Sequence, residues 1–579
     1  MFSITNPLPY ECQSCHTHYS NKAIAVACRK LCLGKILKAM MNGKVSEDDS
    51  SSESRQFMLP AILSLILEEN TNMISNEISD ISNKTDLDEP MYDIEYESNM
   101  GESVDMDGSE SATSPLVFDF SQPSPIPSND DTKNLEFIKI INDFGISHQA
   151  HEKLAAHLNS ILGMSTKITY RVCTLYLGKE LLKCFSGEEE TVYDVCQSGC
   201  IMFNKAEEVA CKHCGKAHYK SNKTDKNSML IAEKTMVQIS LSRHIALSLA
   251  NSGTRHEMLY CHNHEQKADG SKADIFDGHT YQSIKHFFSG ENDVAISLSV
   301  NGFASHNVPG SITILHATVL NFSLMVPYEK SRMLQIAMIS GPSAPLDFWS
   351  FLKTTLADLK VLQEEGMIVM TPTLTIRAKV HVLMVTGDIL AVVKLACHTG
   401  HMSKSGCRIC NVVGQTPGHS QYFRSLPDTT MRTLKSFQNF DPANLSSKGL
   451  VGQSPLSSLA SFTGPLFFTL DKMHGLCHGI GEQVWGLIGG KYGIKHSLFL
   501  PANVLKEIGV AMAATRKTVP TAFHGSWRNV SKYIGYFKAV DWADFLLFAV
   551  PTLVAERVRD TTARKALLGL VQACNLLMS

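Results

Sequence analysis

Between Asp293 and Asp388 the chain follows a pattern that few folds accommodate. AISLSVNGF (295–303), LHATVLNFSLMV (315–326) and RMLQIAMIS (332–340) are short β-rich runs separated by the turn signals NVPGS and PYEKS. Links this short join antiparallel neighbours, so the three runs are expected to be consecutive antiparallel strands. SAPLDFWSFLKTTLADLKVLQEEG (343–366) then repeats apolar residues at helical spacing, with Gly366 placed to close the helix. A further strand, AKVHVLMVTGD, ends on Asp388, and a helix can start directly after it in LAVVKLACHTG. Asp388 also suits the plain role of capping that helix, where a carboxylate accepts from first-turn N–H groups.

Three antiparallel strands, a helix and a fourth strand ending in a carboxylate are the order of a ribonuclease H-like fold. Polynucleotidyl transfer on such a frame uses two divalent metals about 3.5–4 Å apart. Carboxylates from neighbouring strand ends and a later helix hold them. The first acid belongs on the first strand beside Asp388, but the residue at that position is Asn301, within VNGF. Asp293 cannot replace it, because eight residues at ~3.3 Å each put it roughly 26 Å away along the strand. Asparagine offers a metal one neutral oxygen without the charge that helps hold two dications together.

The expected architecture is mixed α/β. It comprises a zinc-binding N-terminal segment (1–45), an acidic Ser-rich linker without a fold (46–134), a helical segment (135–192), a zinc knuckle with connecting region (193–292) and a ribonuclease H-like core with a helical insertion (293–579). Cys12 and Cys15, followed by Cys28 and Cys32, have the spacing of four thiolates around one tetrahedral Zn2+. LEFIKIINDFGISHQAHEKLAAHLNSIL reads as a helical pair, with its histidines at the surface. Cys196, Cys200, Cys211 and Cys214 form two close pairs joined by a short loop, the pattern of a structural zinc knuckle. Cys261, His262 and His264 in LYCHNHEQ are a weaker constellation that ordinary loop residues explain equally well.

Charge adds a constraint that the total of −3 conceals. Residues 46–133 carry 21 acidic side chains against three basic ones, a local balance of −18 that leaves +15 on the rest. A positive folded part suits a polyanion, and the acidic segment opposes it. The apolar island FMLPAILSLILEEN within that segment fits either a transient helix or a motif that docks a protein partner. No apolar stretch approaches the ~20 residues of a membrane span, and the N-terminus lacks the basic and apolar regions of a secretory signal. The 16 cysteines are read as those of a reducing compartment.

From about Tyr193 to Leu553 the chain resembles the transposases of CACTA-type (En/Spm) DNA transposons, in the version spread through fungal genomes. The resemblance is carried, in the family's order, by YDVCQSGCIMF...CKHCGKAHY, DIFDGHTYQ, LSVNGF, ISGPSAPLDFW, VTGDILAVVKLACHTGHMSKSGCRIC, LDKMHGLCHG and VPTAFHGSWRNVSKYIGYFKAVDWADFLLFAVPTL. It implies a DDE-type enzyme in the nucleus whose acidic triad binds Mg2+ (or Mn2+) to nick transposon ends and transfer strands, with DNA and a second copy of the chain as partners. The triad positions fall on Asn301, Asp388 and Asp541, and an Asp-x-x-His signature falls on Asp471 and His474. His401, Cys407 and Cys410 match a zinc-like element, with Cys397 or His398 as fourth ligand.

Duller roles stand beside these: Asp471 as a helix cap, and Asp541 with Asp544 as solvated acids on an amphipathic helix. Asn301 in the first acid position weakens the expected catalysis, and Asp541 replaces the more usual Glu. The expected function is therefore a DNA-binding transposase-like protein with reduced cleavage. An active enzyme and a non-catalytic zinc-knuckle adaptor, using the acidic segment to recruit protein, are the alternatives.

Overall fold

The computed structural model describes residues 10–11, 18–19 and 114–578, the last apart from 123–124, 225–229, 305–309, 325, 328, 330–331, 417–420, 425–428, 445–446, 471 and 521–524. Cys12, Cys15, Cys28 and Cys32, residues 46–113 of the acidic segment and Asp471 therefore lie outside the described residues. The chain divides into two units, Met1–Met58 and Leu59–Ser579. In the first, Tyr10–Glu11 pairs antiparallel with His18–Tyr19.

In the second unit the fold begins earlier than the composition suggests. Strand β1 (Leu116–Asp119) lies inside the segment read as linker, and Leu116, Phe118 and Phe120 pack against the main core. Alternation of large apolar residues in LVFDF offsets the polar surroundings locally, as a half-buried strand requires. Helices α1 (Asn129–Asp143), α2 (His148–Leu162) and α3 (Leu175–Ser186) follow. α1 starts on a capping box in which Ser128 and Asp131 each accept the other's backbone N–H, at 3.1 and 3.0 Å. His151 departs from the surface role expected of it: it is buried edge-on against Phe137, with Nε2 3.2 Å from the Cys173 carbonyl.

The central sheet is built from β2 (Glu190–Asp194), β3 (Thr235–Ile239), β4 (Val294–Ala304), β5 (Ser311–Val319), β6 (Met333–Gly341), β9 (Val380–Gly387) and β10 (Phe468–Leu470). Between β6 and β9 come helix α4 (Phe348–Glu364) and a hairpin of β7 (Met367–Met370) and β8 (Thr375–Ala378). The strand order is β10-β9-β4-β5-β6-β3-β2. β5 runs antiparallel to β4, and β6 antiparallel to β5, whereas β9 is parallel to β4 and β10 parallel to β9. Along β4, Val294, Ile296, Leu298 and Val300 alternate into the core, and Phe351, Leu352, Leu356, Leu359 and Leu362 of α4 cover it at helical spacing. Gly366 closes α4 as expected: its φ is +80°, its N–H donates to the Val361 carbonyl at 3.0 Å, and a Cβ there would lie 2.6 Å from the Ala378 carbonyl oxygen.

Two details differ from the expectation. β5 runs over Ser311–Val319 instead of 315–326 because Asn321 ends the ladder, accepting from the Ala295 N–H at 2.7 Å and donating to the Asp293 carbonyl at 2.8 Å. The β7–β8 hairpin has no counterpart in the expected order; β7 also pairs in parallel with β1, which ties the N-terminal strand to the core domain.

After β10 the chain is helical: a π-helical turn (Met473–Ile480), α5 (Gly481–Ile488), α6 (Ala502–Thr515), α7 (Val530–Tyr533), α8 (Ala539–Asp544), a second π-helical stretch (Phe545–Val554) and α9 (Thr561–Met578). These elements enclose a separate core around Trp542, Phe545, Leu546 and Val550. Among the described residues no helix is long and apolar enough to cross a membrane.

Candidate functional site

Parallel pairing of β9 with β4 sets Gly387 opposite Val300, and pairing of β10 with β9 sets Leu470 opposite Gly387. The next residue on β4 is Asn301, and Asp388 follows directly on the last residue of β9, so the register brings the two positions near each other on neighbouring strands spaced by about 4.8 Å. The strands approach closely here because position 387 is glycine; a Cβ would sit 2.4 Å from the Val300 carbonyl oxygen. Asp388 caps the short helix Ile389–Leu395, with Oδ1 accepting from the Ala391 N–H at 2.6 Å. Its second oxygen has no hydrogen bond among the described residues. Asn301 Oδ1 is buried and has no partner among the described residues. Asp293 is far from this end: its carboxylate accepts from the Lys379 and Gly290 N–H groups at 2.8 and 2.6 Å and secures the start of β4.

Asp541 belongs to a different construction. It is 4% exposed, not solvated, and its two oxygens accept from the Ser526 N–H at 2.5 Å and the Lys538 N–H at 2.9 Å. Asp544, also buried, accepts from the Gly525 N–H at 3.0 Å. Together they tie residues 525–538 to the C-terminal helical core. Trp527 in that segment holds φ at +47° while buried, a conformation that its surroundings must impose on a residue with a side chain. His474 stands on the π-helical turn after β10.

The four knuckle cysteines do converge. Cys196, Cys200, Cys211 and Cys214 have sulfurs all within 4.8 Å of one another, and Cys196 and Cys214 approach to 3.4 Å. Among the described residues this is the one set of three or more Cys, His, Asp or Glu side chains gathered so closely. Each pair sits on a tight turn closed by glycine. Gly199 (φ +69°) donates to the Cys196 carbonyl at 2.7 Å and Gly215 (φ +68°) to the Cys211 carbonyl at 2.8 Å. Burial raises the thiols of Cys200 and Cys211. For Cys214 burial also acts upward, but N–H donation from Lys216 and hydrogen bonds from the other thiols outweigh it and bring the group down to about 7. Four thiols so placed can hold a metal ion.

This cluster is anchored to the core by a segment that looks unrelated in sequence. The Cys200 carbonyl accepts from the Leu346 and Asp347 N–H groups at 3.1 and 3.0 Å, and the Met202 N–H donates to Ser350 Oγ at 3.0 Å. Lys234 Nζ donates to the Ser340 carbonyl at 2.5 Å. Thus the YDVCQSGC and ISGPSAPLDFW motifs pack together as one unit.

His401, Cys407 and Cys410 are not gathered in the same way. Cys407 and Cys410 lie 3.4 Å apart on their turn, but exposed His401 does not join them within 4.8 Å. Arg432 braces this turn, its Nε donating to the Cys407 carbonyl at 3.0 Å. Burial pushes Cys397 up to about 11, and buried His398 accepts from the Gly400 N–H at 3.0 Å.

The DIFDGHTYQ segment and the Cys261, His262, His264 group also turn out to be one unit. Asp277 is 1% exposed and accepts from His264 Nε2 at 2.9 Å and from the Ala273 and Asp274 N–H groups at 2.8 and 2.9 Å. The bond from His264, reinforced by those N–H groups, lowers Asp277 to about 2. Tyr260 Oη donates to Asp274 at 2.7 Å. Sequence reasoning assigns none of these acids a role; the signal that could have found them is the Asp-x-x-Asp-Gly spacing of a capping box. Comparison with protein-family models and with curated proteins finds no match.

Proposed function

We propose that this chain is a transposase-like DNA-binding protein on a ribonuclease H-like fold, with the divalent-metal site of a polynucleotidyl transferase weakened at Asn301. The observation that carries the reading is the arrangement of the sheet. Three antiparallel strands and a helix lead to two strands parallel to the first, in the order β10-β9-β4-β5-β6, and Asn301 and Asp388 each follow directly on the Val300–Gly387 pair of neighbouring strands. A helix cap alone would account for Asp388. The buried Asn301 Oδ1 beside it has no protein partner among the described residues, as is also true of Asn411 Oδ1 and Gln421 Oε1, so it is the sheet arrangement that carries the reading.

Asn301 and Asp388 fit a hard cation through oxygen, so they would hold Mg2+ or Mn2+. When bound, such an ion supplies positive charge for the phosphate and for an attacking water or 3′-hydroxyl. The chain's own contribution is positioning: the Ala391 N–H fixes one oxygen of Asp388 and leaves the other for a ligand. Asn301 adds an oxygen but no charge, and both oxygens of Asp541 are engaged by backbone N–H groups. Weak cleavage is the consequence.

The four-cysteine cluster is assigned to structural Zn2+. A Zn–S distance of about 2.3 Å requires sulfurs about 3.8 Å apart, and four protein ligands leave no open position for catalysis. DNA as partner implies a nuclear setting and salt-dependent binding through phosphate.

Nicking of supercoiled plasmid in Mg2+ or Mn2+ tests the proposal. The expected result is slow or absent nicking by the wild type, a gain in Asn301→Asp and loss of that gain when Asp388→Ala is added. Fast nicking by the wild type would overturn the weakened site. A wild type that fails to bind DNA at low salt would overturn the whole reading.

A further inference from the structure

The segment from Gly525 to Val540 contains the basic residues Arg528, Lys532 and Lys538 and no acidic residue. All three basic side chains are exposed, and none makes an ion pair among the described residues. Residues 532–536, Lys-Tyr-Ile-Gly-Tyr, are consecutively exposed: Tyr533 at 46%, Ile534 at 36% and Tyr536 at 71%. Two tyrosine rings and an isoleucine in water at one turn need an explanation, since neighbouring aromatic residues are packed inside.

The turn is not loose. Phe537 is buried and meets Trp542 edge-on at 5.2 Å between ring centres, and its N–H donates to the Ile534 carbonyl at 3.1 Å. Asp541 binds the N–H groups at both ends of the segment, Ser526 and Lys538, and Asp544 holds Gly525. Both carboxylates are thereby turned inward, so the outer surface keeps its positive charge. Two exposed tyrosines on a braced backbone, flanked by cations that make no ion pair among the described residues, offer what single-stranded nucleic acid recognises. Bases stack on the rings, while phosphates meet the cations.

We propose that Tyr533 and Tyr536, flanked by Arg528, Lys532 and Lys538, form a platform for unpaired nucleotides of a DNA strand. The inference rests on the DNA-binding reading above and deepens it. It gives Asp541 a role as a positioning residue that secures the platform. Duplex DNA buries its bases in the stack and offers only phosphates, so the tyrosines should matter for single strands and the lysines for both forms.

The test measures binding of the full chain to fluorescent dT20 and to a 20-bp duplex by anisotropy at several salt concentrations. Tyr533→Ala and Tyr536→Ala should each weaken dT20 binding by about fivefold to a hundredfold. Duplex binding should stay within about twofold. Tyr→Phe at both positions keeps the rings and should retain dT20 affinity, which separates stacking from misfolding. Lys532→Gln with Lys538→Gln should lower the salt slope for dT20 by about 0.7 for each phosphate that is no longer neutralised. If the alanine variants bind dT20 like the wild type, or lose duplex binding equally, the platform is refuted while the DNA reading stands. Self-association that depends on the tyrosines, with dT20 binding unchanged, would assign the surface to protein and also refute it. A wild type that binds neither form would overturn the DNA reading first.

Discussion

Asn301→Asp tests whether the two strand ends act on each other. In the variant a second carboxylate stands on the strand next to Asp388, and the strand spacing of about 5 Å sets the scale of their separation. At an effective dielectric constant of about 20, two like charges at that distance repel by roughly 3 kcal/mol, and in bulk water by less than about 1 kcal/mol. Both positions are half-buried, so a loss of about 1–3 kcal/mol is expected for the metal-free variant at low ionic strength. At an unfolding entropy of about 2.1 cal/mol/K per residue, a body of this size shifts by roughly 1 °C per kcal/mol, so the melting temperature should fall by about 1–3 °C. Raising the salt should shrink the fall, because partly exposed charges are screened. Adding Mn2+ should reverse it: a ligand at a hundred times its dissociation constant returns about 2.7 kcal/mol. The assay is thermal denaturation of wild type, Asn301→Asp and the double variant with Asp388→Ala, each with and without Mn2+. The wild type should shift little, Asn301→Asp should gain the most, and the double variant should lose the response. If Asn301→Asp melts like the wild type in both conditions, the ends are not electrostatically coupled and the proposed metal site is wrong.

Three other perturbations bear on the same frame. Metal analysis of the purified chain should find zinc bound through Cys196, Cys200, Cys211 and Cys214, and Cys211→Ser should remove one equivalent; an unchanged zinc content would place the metal elsewhere. Gly199→Ala should destabilise by roughly 2–4 kcal/mol, because φ of +69° disfavours a side chain and the new Cβ would lie 2.7 Å from the Ser340 carbonyl oxygen. Denaturant titration reads that loss, and a change below about 0.5 kcal/mol would contradict the close packing of knuckle on sheet. His381, 1% exposed between Phe287 and Phe288, is held neutral and lowered to about 4, chiefly by burial and secondarily by Lys379. The unfolded chain binds that proton near pH 6.5 and the folded chain does not, so stability is lost as pH falls from about 6.5 towards 4, by roughly 2 kcal/mol at pH 5. His381→Phe should flatten the difference between denaturation at pH 7 and pH 5, and an undiminished difference would assign the acid sensitivity to other groups.

The parts of the fold that are legible in the sequence are those governed by local rules. β4, β6 and α4 follow from residue alternation and helical spacing, and Gly366 ends α4 because a position with φ of +80° favours glycine. The knuckle is legible for the same reason, since each cysteine pair lies within one turn. β1 is hidden because its pairing partner, β7, is remote in the chain, and its surroundings are polar enough to mask a four-residue strand. The end of β5 is hidden because an asparagine side chain, not a turn residue, closes it.

Acidic residues show where sequence reasoning stops. Asp388, Asp541 and Asp277 look alike as carboxylates near a helix start, and each binds backbone N–H groups. What separates them is the second neighbour. Asp277 meets His264, Asp541 meets Ser526 from a segment before its own helix, and Asp388 stands beside Asn301, whose oxygen has no partner. The first two arrangements satisfy both oxygens of the acid and close the site. The third leaves two oxygens, one on Asn301 and one on Asp388, without a donor among the described residues. An internally satisfied carboxylate stabilises structure, whereas the buried Asn301 Oδ1, left without a donor among the described residues, costs stability unless something binds there. On the proposed reading, the functional weight falls on Asn301 and Asp388, and Asp541 acts through the segment it holds in place.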